Sequence, residues 1–278
     1  MANVLICVPA FGQIISASTT LTLQTIQMSL AQKGISSGFS TLSFPDIGEL
    51  RSMYTTMFFD SPDMQAFTHL LFIDADMGFS PQLVLDQLML DEPLVGSIYP
   101  QRRLPTSWAG SGTGEPAAER RGDFMRVEGV GMGCTLIRRD CLQRILANEP
   151  ARREQEIDIA IGDNANRYRD AGIYEDVRNA IRATYPPFVD DRIAMHPGRE
   201  MLESAKCKRL IRFFDCLDIP ARGRISEDLS FCIRAGRAGI VTWAAIGHRI
   251  SHVGPYDYGA RYLDHAAQPP PGGKGLGA

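Results

Sequence analysis

The sequence predicts an α/β fold in which helices cover both faces of a mostly parallel sheet. Short apolar runs typical of buried strands alternate with longer amphipathic segments over the first hundred residues, which is the pattern of successive β-α units. The chain has 278 residues, of which 44% are apolar and 22% charged. It is therefore long enough for one large α/β domain with the composition of an ordinary globular protein.

The first half divides into regular elements. Residues 4–8 form a continuous apolar run that ends at Pro9, which is typical of a buried parallel strand. Residues 18–33 place apolar side chains among polar ones with a helical period, and Gly34 ends that helix. By the same criteria we predict strands at 37–43, 69–73 and 94–98, and helices at 48–59 and 81–90.

The second half is less regular. We predict a mobile loop at 110–122, strands at 123–128, 131–138 and 240–244, and helices at 139–148 and 226–238. Residues 149–212 are highly charged, and we expect helices and loops there that form an acceptor-binding insertion or an oligomer contact. The Pro- and Gly-rich stretch at 266–278 is expected to be a flexible tail, which leaves a single domain over 1–265.

Composition excludes some classes of protein. The chain has 29 basic and 32 acidic residues, a net charge of −3, so it has no electrostatic footprint for nucleic acid. The six cysteines form no C-x-x-C pair, which favours free thiols in a reducing compartment. We see no signal peptide and no apolar stretch of spanning length. The expected location is the cytosol, and work beside a membrane on a lipid-linked acceptor stays open.

Two acidic residues follow the apolar run at 69–73, as Asp74-Ala75-Asp76. In an open α/β sheet, ligands bind beyond the carboxyl ends of the strands, where both this motif and Pro9-Ala10-Phe11 fall. If the stretch is extended, its alternate side chains point the same way, and both carboxylates can approach one site. Mg²⁺ and Mn²⁺ prefer carboxylate and phosphate oxygens, so a metal-bound diphosphate is the functional interpretation. A solvated turn is the alternative, since a bare D-x-D is common.

Two further candidates lie near the end of the chain. Ser226-Glu227-Asp228 opens a helix, where Ser serves as an N-cap and acids suit the helix dipole. The functional alternative is that Asp228 takes a proton as a general base, with Glu227 orienting it. His252 follows a strand and a loop; a neutral imidazole can ligate Mn²⁺, although a lone histidine is more often structural.

Other residues carry weaker signals. Gly131 lies in a run of three glycines at alternate positions, which suits either a hairpin or a close approach to a ligand. Arg51 lies in the helix before the D-x-D strand and could reach phosphate, as could Arg102. Both arginines could equally be solvated.

Taken together, these motifs resemble glycosyltransferases of the GT-A fold. They are similar to bacterial and phage proteins related to family 2, and also to the Anp1-type mannosyltransferases. The matching segments come in the family's order and cover most of residues 3–256, with a gap at about 149–210. They are 8–11, Arg51, 68–81, 95–101, 129–139, 213–215, 226–232 and 251–254.

The resemblance implies a role for each matching residue. Pro9, Ala10 and Phe11 would line the nucleotide pocket in a donor-binding half over 1–104, and Arg51 would contact the donor's diphosphate or ribose. Asp74 would face the ribose or the sugar, beside Ala75, and Gly131 would floor the sugar pocket. Asp76 and His252 would bind Mn²⁺ or Mg²⁺, with Asp74 nearby. Glu227 and Asp228 would serve the acceptor in the half over 105–265.

The implied reaction moves a hexose from a nucleoside diphosphate sugar to a hydroxyl acceptor, with inversion favoured. A UDP-sugar is the favoured donor. A GDP-sugar stays the alternative, because the acidic residue that often reads uracil at a strand end in this family is not evident here, and Asp46, which lies later in the chain, is the candidate for that role. The acceptor would be a glycan, a lipid-linked sugar or another hydroxyl, and a homo-oligomer is compatible with the sequence. A retaining enzyme, a nucleotidyltransferase and a non-catalytic nucleotide-sugar binder remain alternatives.

Overall fold

The computed structural model describes residues 2–103, 107–110, 119–184, 189–190, 193–219, 223–255 and 257–266. Its strands, numbered β1 to β17 along the chain, are Asn3–Pro9, Ser36–Leu42, His69–Ile73, Met77–Phe79, Leu94–Ser97, Tyr99–Pro100, Trp108–Ala109, Arg120–Arg121, Phe124–Val127, Gly131–Arg138, Val189–Asp190, Leu210–Ile211, Asp218–Ile219, Gly223–Arg224, Thr242–Ala245, Ile250–Val253 and Asp257–Ala260. Its α-helices, numbered α1 to α9, are Ala17–Gln32, Ile47–Asp60, Gln82–Leu90, Arg139–Ile161, Ala165–Asp170, Tyr174–Thr184, Arg199–Ser204, Glu227–Arg237 and Tyr262–Ala266.

A large sheet organises the described residues. Its strand order is β2-β1-β3-β10-β5-β15-β9-β8. Strand β1 is parallel to β2 and β3, β15 is parallel to β5, and β10 runs antiparallel to both β3 and β5. Because β9 is antiparallel to β15 and β8, only β9 and β10 run against the other strands. The predicted α/β fold with a mostly parallel sheet is confirmed.

Helices cover both faces of this sheet, as predicted. Helices α1 and α3 pack on one face, where Ile26, Leu30 and Leu83 join a cluster with the β1 side chains of Val4 and Ile6. Helices α2, α4 and α8 bury their apolar side chains in the cluster on the other face. The alternate side chains of β1 and β3 feed both clusters, so the continuous apolar runs of these strands follow from burial on two faces.

Local sequence signals explain where the first helices begin and end. The Ser16 hydroxyl accepts from the Thr19 N–H and caps α1, and Gly34, with φ at +69°, turns the chain away just after the C-cap residue Lys33. The Asp46 carboxylate accepts from the Glu49 N–H and caps α2 at 2.8 Å. Asp46 therefore caps a helix terminus, and its part in base recognition stays a prediction.

The second half departs from the sequence predictions in length and detail. Helix α4 was expected to end at residue 148, before Pro150, but it continues to Ile161 because buried Ile157 and Ile161 extend its apolar face. Short strands such as β4, β6 and β16 were not predicted, since two to four residues carry too little periodicity. Of the mobile loop predicted at 110–122, residues 111–118 lie outside the described residues and Arg120–Arg121 form β8. Of the tail predicted at 266–278, Ala266 ends α9 and residues 267–278 lie outside the described residues. No helix within the described ranges is long and apolar enough to cross a membrane.

Candidate active site

The acidic motif lies in a turn that backbone hydrogen bonds hold at the carboxyl end of β3. The Asp74 N–H donates to Gly133 O on β10 at 3.1 Å, and the Ser16 N–H at the start of α1 donates to Ala75 O at 2.8 Å. The Met77 N–H closes the turn on Asp74 O. The stretch is thus a turn and not the extended segment that would aim both carboxylates at one point, and the two carboxylates take different partners.

Arg51 joins the first of these carboxylates to the acidic pair at the start of α8. From α2, its Nη2 lies 2.7 Å from Asp74 Oδ1 and its Nη1 lies 2.8 Å from Glu227 Oε1. The Arg51 side chain is only 5% exposed, and the two carboxylates are 25% and 22% exposed. One buried guanidinium therefore fixes a residue of the predicted donor side to a residue of the predicted acceptor side.

The charges around Arg51 keep it protonated. Burial alone would lower the pKa of the guanidinium, but the carboxylates of Asp74 and Glu227 outweigh burial and raise that pKa. Because both terminal nitrogens are paired, Arg51 does not face solvent as a phosphate contact would. The role that the resemblance implies for it, a contact to diphosphate or ribose, stays a prediction.

Asp76 takes a separate set of partners. Its Oδ2 lies 3.1 Å from Nη1 of Arg102, which is half exposed, and 3.5 Å from Nε2 of His252. Strand β16 brings the histidine there, because His252 pairs with Met77 on β4 and the Val253 N–H donates to Asp76 O at 2.7 Å. Burial raises the pKa of Asp76, but the hydrogen bond and charge of His252, with Arg102, outweigh it and lower that pKa.

The tautomer of His252 suits a cation ligand. Its Nδ1 lies 3.0 Å from Pro100 O, and since a carbonyl oxygen only accepts, Nδ1 carries a proton. Nε2 then faces Asp76 either as a second N–H or as a lone pair that a cation would bind, and an N–H donated to a backbone carbonyl is the usual support of a ligating histidine. Among the described residues, no group of three or more His, Cys, Asp or Glu side chains could hold a metal by itself. A divalent ion here would need diphosphate or water oxygens in addition.

Tyr99, which is not among the site residues predicted from the sequence, packs beside His252. Its buried ring meets the His252 ring edge-on at 5.6 Å, and its hydroxyl accepts from the Gly133 N–H at 3.1 Å. A Cβ added to Gly131 would lie 2.3 Å from the Tyr99 hydroxyl oxygen, so only glycine leaves room for the ring. Gly131 therefore contacts Tyr99. Tyr99 follows the end of β5, the position that singled out Asp74, and that rule could have found it.

Asp228 lies one residue beyond Glu227 in the first turn of α8. Its Oδ1 accepts from the Leu229 N–H at 2.7 Å and from the Ser226 hydroxyl. Ser226 occupies the N-cap position, but its side chain makes no cap bond to the backbone. Local capping therefore does not account for this serine; its hydroxyl orients the Asp228 carboxylate.

The loop after β1 places the remaining predicted residues. Pro9 and Ala10 are buried, and the Ala10 N–H donates to Leu42 O at 3.0 Å. Phe11 is 75% exposed, and Gly12 and Gln13 follow with φ of +64° and +60°. Of the three residues predicted to line the nucleotide pocket, Phe11 is thus the one whose side chain is open to a ligand, and Ile14 further along the loop is also exposed.

Comparison with known proteins gives only remote likenesses. No protein-family model and no curated protein sequence matches the chain. Among solved structures, A197 from STIV matches with 14% identity over 91% of this chain and 86% of its own, at a TM-score of 0.43. A glycosyltransferase involved in glycosylation of the PBCV-1 major capsid matches with 10% identity over 65% and 79%, at 0.30. Drosophila β1,4-galactosyltransferase 7 matches with 14% identity over 52% of each chain, at 0.26. Likenesses at these TM-scores do not assign the chain to a family.

Proposed function

We propose that this protein is a metal-dependent glycosyltransferase of the GT-A fold that moves a hexose from a nucleoside diphosphate sugar to a hydroxyl acceptor. The observation that carries the proposal is the meeting of two carboxylate sets at the carboxyl edge of the sheet. Asp74 and Asp76 come from the end of β3, and Glu227 and Asp228 come from the start of α8. A transferase needs such a division, because donor and acceptor must be held side by side.

On the donor side, Asp76 and His252 are the residues that would hold Mn²⁺ or Mg²⁺. Their oxygen and imidazole donors suit these ions, and the proton on His252 Nδ1 leaves Nε2 to face the ion. When bound, the ion would neutralise charge on the departing diphosphate. Arg102, whose side chain is half exposed beside Asp76, would add a positive charge toward the same phosphates.

On the acceptor side, Asp228 would act as the general base. Both hydrogen bonds described for its carboxylate reach Oδ1, which leaves Oδ2 as the oxygen to accept the acceptor's proton. Direct displacement would then invert the anomeric carbon. Glu227, tied to Arg51, would hold the acceptor and keep the first turn of α8 in place.

For the substrates, we propose a UDP-sugar as donor, with a GDP-sugar as the alternative, and a glycan, lipid-linked sugar or other hydroxyl as acceptor. The exposed ring of Phe11 is the surface against which the base would stack. The transfer reaction would take place in the cytosol, either beside a membrane or away from one. The cysteines, all of them free thiols, would stay reduced in that compartment.

The test is release of nucleoside diphosphate from a panel of nucleotide sugars with Mn²⁺, comparing wild type with Asp76→Asn and Asp228→Asn. Removing a group that binds or moves charge in the transition state is expected to lower kcat/KM by about 10²–10³-fold. Asp63→Asn is the matched control, since Asp63 pairs with Lys206 at the exposed surface. Turnover that survives both EDTA and Asp76→Asn would overturn the proposal. Release of pyrophosphate would point instead to a nucleotidyltransferase.

A further inference from the structure

The large sheet ends in a strand whose outer edge is open. Within the part of the chain that the structure describes, β2 is hydrogen-bonded to β1 and to no other strand. The pairing is regular from Asn3 opposite Ser36 to Pro9 opposite Leu42, with no bulge. A straight, seven-residue edge of this kind is a template for another strand.

The orientation of the backbone identifies the free groups. Leu42 O accepts from the Ala10 N–H, so the peptide groups of Leu42 and of alternate residues before it face β1. The N–H and C=O groups of Ser37, Phe39 and Thr41 therefore face outward. None of them has a hydrogen-bond partner among the described residues.

The edge lacks the devices that normally prevent edge-to-edge pairing. Strand β2 contains no charged residue and no proline, although edge strands are commonly protected by lysine, proline or a bulge. Helix α1, which packs beside it, also contains no charged residue, and Lys33 is the one charge among residues 1–45. Another strand therefore meets no charged side chain of β2 or α1, and the nearest charges shown beside β2, Asp63 and Glu200, line a pocket with Ser40 and Leu42 on the α2 face.

The side chains of the edge are complementary to themselves. A Cβ added to Gly38 would meet Phe67 and Leu5 on the α2 face of the sheet, so Ser37, Phe39 and Thr41 share the α1 face. Phe39 remains 45% exposed there. Around a two-fold axis at Phe39, each Ser37 stands opposite Thr41 of the other copy, and the two phenylalanines stand opposite each other.

We propose that the protein forms a two-fold symmetric dimer in which the β2 strands of two copies pair antiparallel, centred on Phe39. The three outward residues of each copy form three hydrogen-bonded pairs that exchange two bonds each, six in all. The Ser37 hydroxyl can donate to Thr41 Oγ1 of the other copy, which already donates to Val8 O at 3.1 Å and can still accept. The two eight-stranded sheets become one continuous sheet.

A second copy fits this edge better than a membrane or an unrelated peptide. The exposed side of α1 mixes Thr and Gln with Leu21 and Met28 and has no basic residue, whereas a membrane-binding face is apolar with basic residues beside it. A stable interface buries about 800 Å² on each partner, more than one strand edge supplies, so the uncharged surface of α1 would contribute. An unrelated peptide would not require the hydroxyl–aromatic–hydroxyl order to be symmetric about Phe39.

Light scattering coupled to size-exclusion chromatography tests this proposal on the full chain, independently of any catalytic activity. Wild type is expected to elute at twice the monomer mass over a dilution series, and Phe39→Lys at the monomer mass. Ser37→Pro is the second variant, because it removes an outward N–H and no hydrogen bond to β1. Met89→Lys is the matched control, since Met89 is 80% exposed on α3, and it should remain dimeric.

Thermal unfolding of each variant, followed by circular dichroism, separates the loss of the dimer from the loss of the fold. A wild type that is monomeric at every concentration would overturn the proposal. So would open-ended assemblies in place of a dimer, or a folded Ser37→Pro variant that still dimerises.

Discussion

Replacing Arg51 by methionine is the sharpest perturbation of the candidate site. The change removes the cation between Asp74 and Glu227 and leaves both carboxylates largely buried without it. Breaking a buried ion pair by deleting one partner costs about 3–5 kcal/mol. Because the two carboxylates keep about a quarter of their exposure, we expect the lower end, about 3 kcal/mol. For a chain of 278 residues that is a fall in Tm of about 5 °C.

Urea denaturation followed by circular dichroism measures this loss. Arg102→Met is the control within the same site, because that arginine is half exposed and, among the described residues, its ion pair is with Asp76; an exposed pair contributes at most about 1 kcal/mol. Arg51→Lys should recover part of the loss, since one ammonium cannot hold both carboxylates as a planar fork does. The Asp74→Asn and Arg51→Met losses should be non-additive by at least about 0.5 kcal/mol. Arg51→Met within that margin of wild type would refute the buried bridge.

Three further predictions concern packing, pH and thiol chemistry. Gly131→Val places a Cβ against the buried Tyr99 hydroxyl, and we expect a loss of about 1–3 kcal/mol in the free energy of unfolding. The hydrogen bond from Arg138 lowers the pKa of Asp140 below its usual value of 3.8. The ionised carboxylate therefore stabilises the folded protein above pH 3.8, and this stabilisation is lost as the pH falls through the lowered pKa. The unfolding free energies of wild type and Asp140→Asn should then converge in acid. Burial raises the pKa of five cysteines, Cys7, Cys134, Cys141, Cys207 and Cys232. An aromatic disulfide reagent should therefore label at most Cys216 in the native protein and all six thiols after unfolding.

The sequence predicts the first hundred residues of the fold well because their elements are long and strongly patterned. The strand at 69–73 and the helices around α1 and α2 match the structure within one or two residues. The sequence does not predict the direction of β10. It runs antiparallel between β3 and β5 through contacts far apart in sequence, and local periodicity holds no information on such pairing.

The sequence identifies several residues of the candidate site but not the contacts between them. The strand-end rule identifies Asp74 and Asp76, and the structure brings His252 to Asp76 as the resemblance implied. The partnership of Arg51 with both Asp74 and Glu227 depends on residues 23 and 176 positions away. No local pattern specifies an ion pair of that separation, so the sequence places Arg51 near the site but does not predict the two carboxylates that it joins.

Calorimetric titration of UDP into the protein is the most direct test of a cation-dependent nucleotide site at Asp76. We expect binding in the presence of Mn²⁺, a loss of at least tenfold in affinity on adding EDTA, about 1.4 kcal/mol, and a similar loss in Asp76→Asn but not in Asp63→Asn. GDP is titrated in parallel as the alternative donor base. Binding of either nucleotide that is equally tight with and without the metal, or no binding of either, would contradict it.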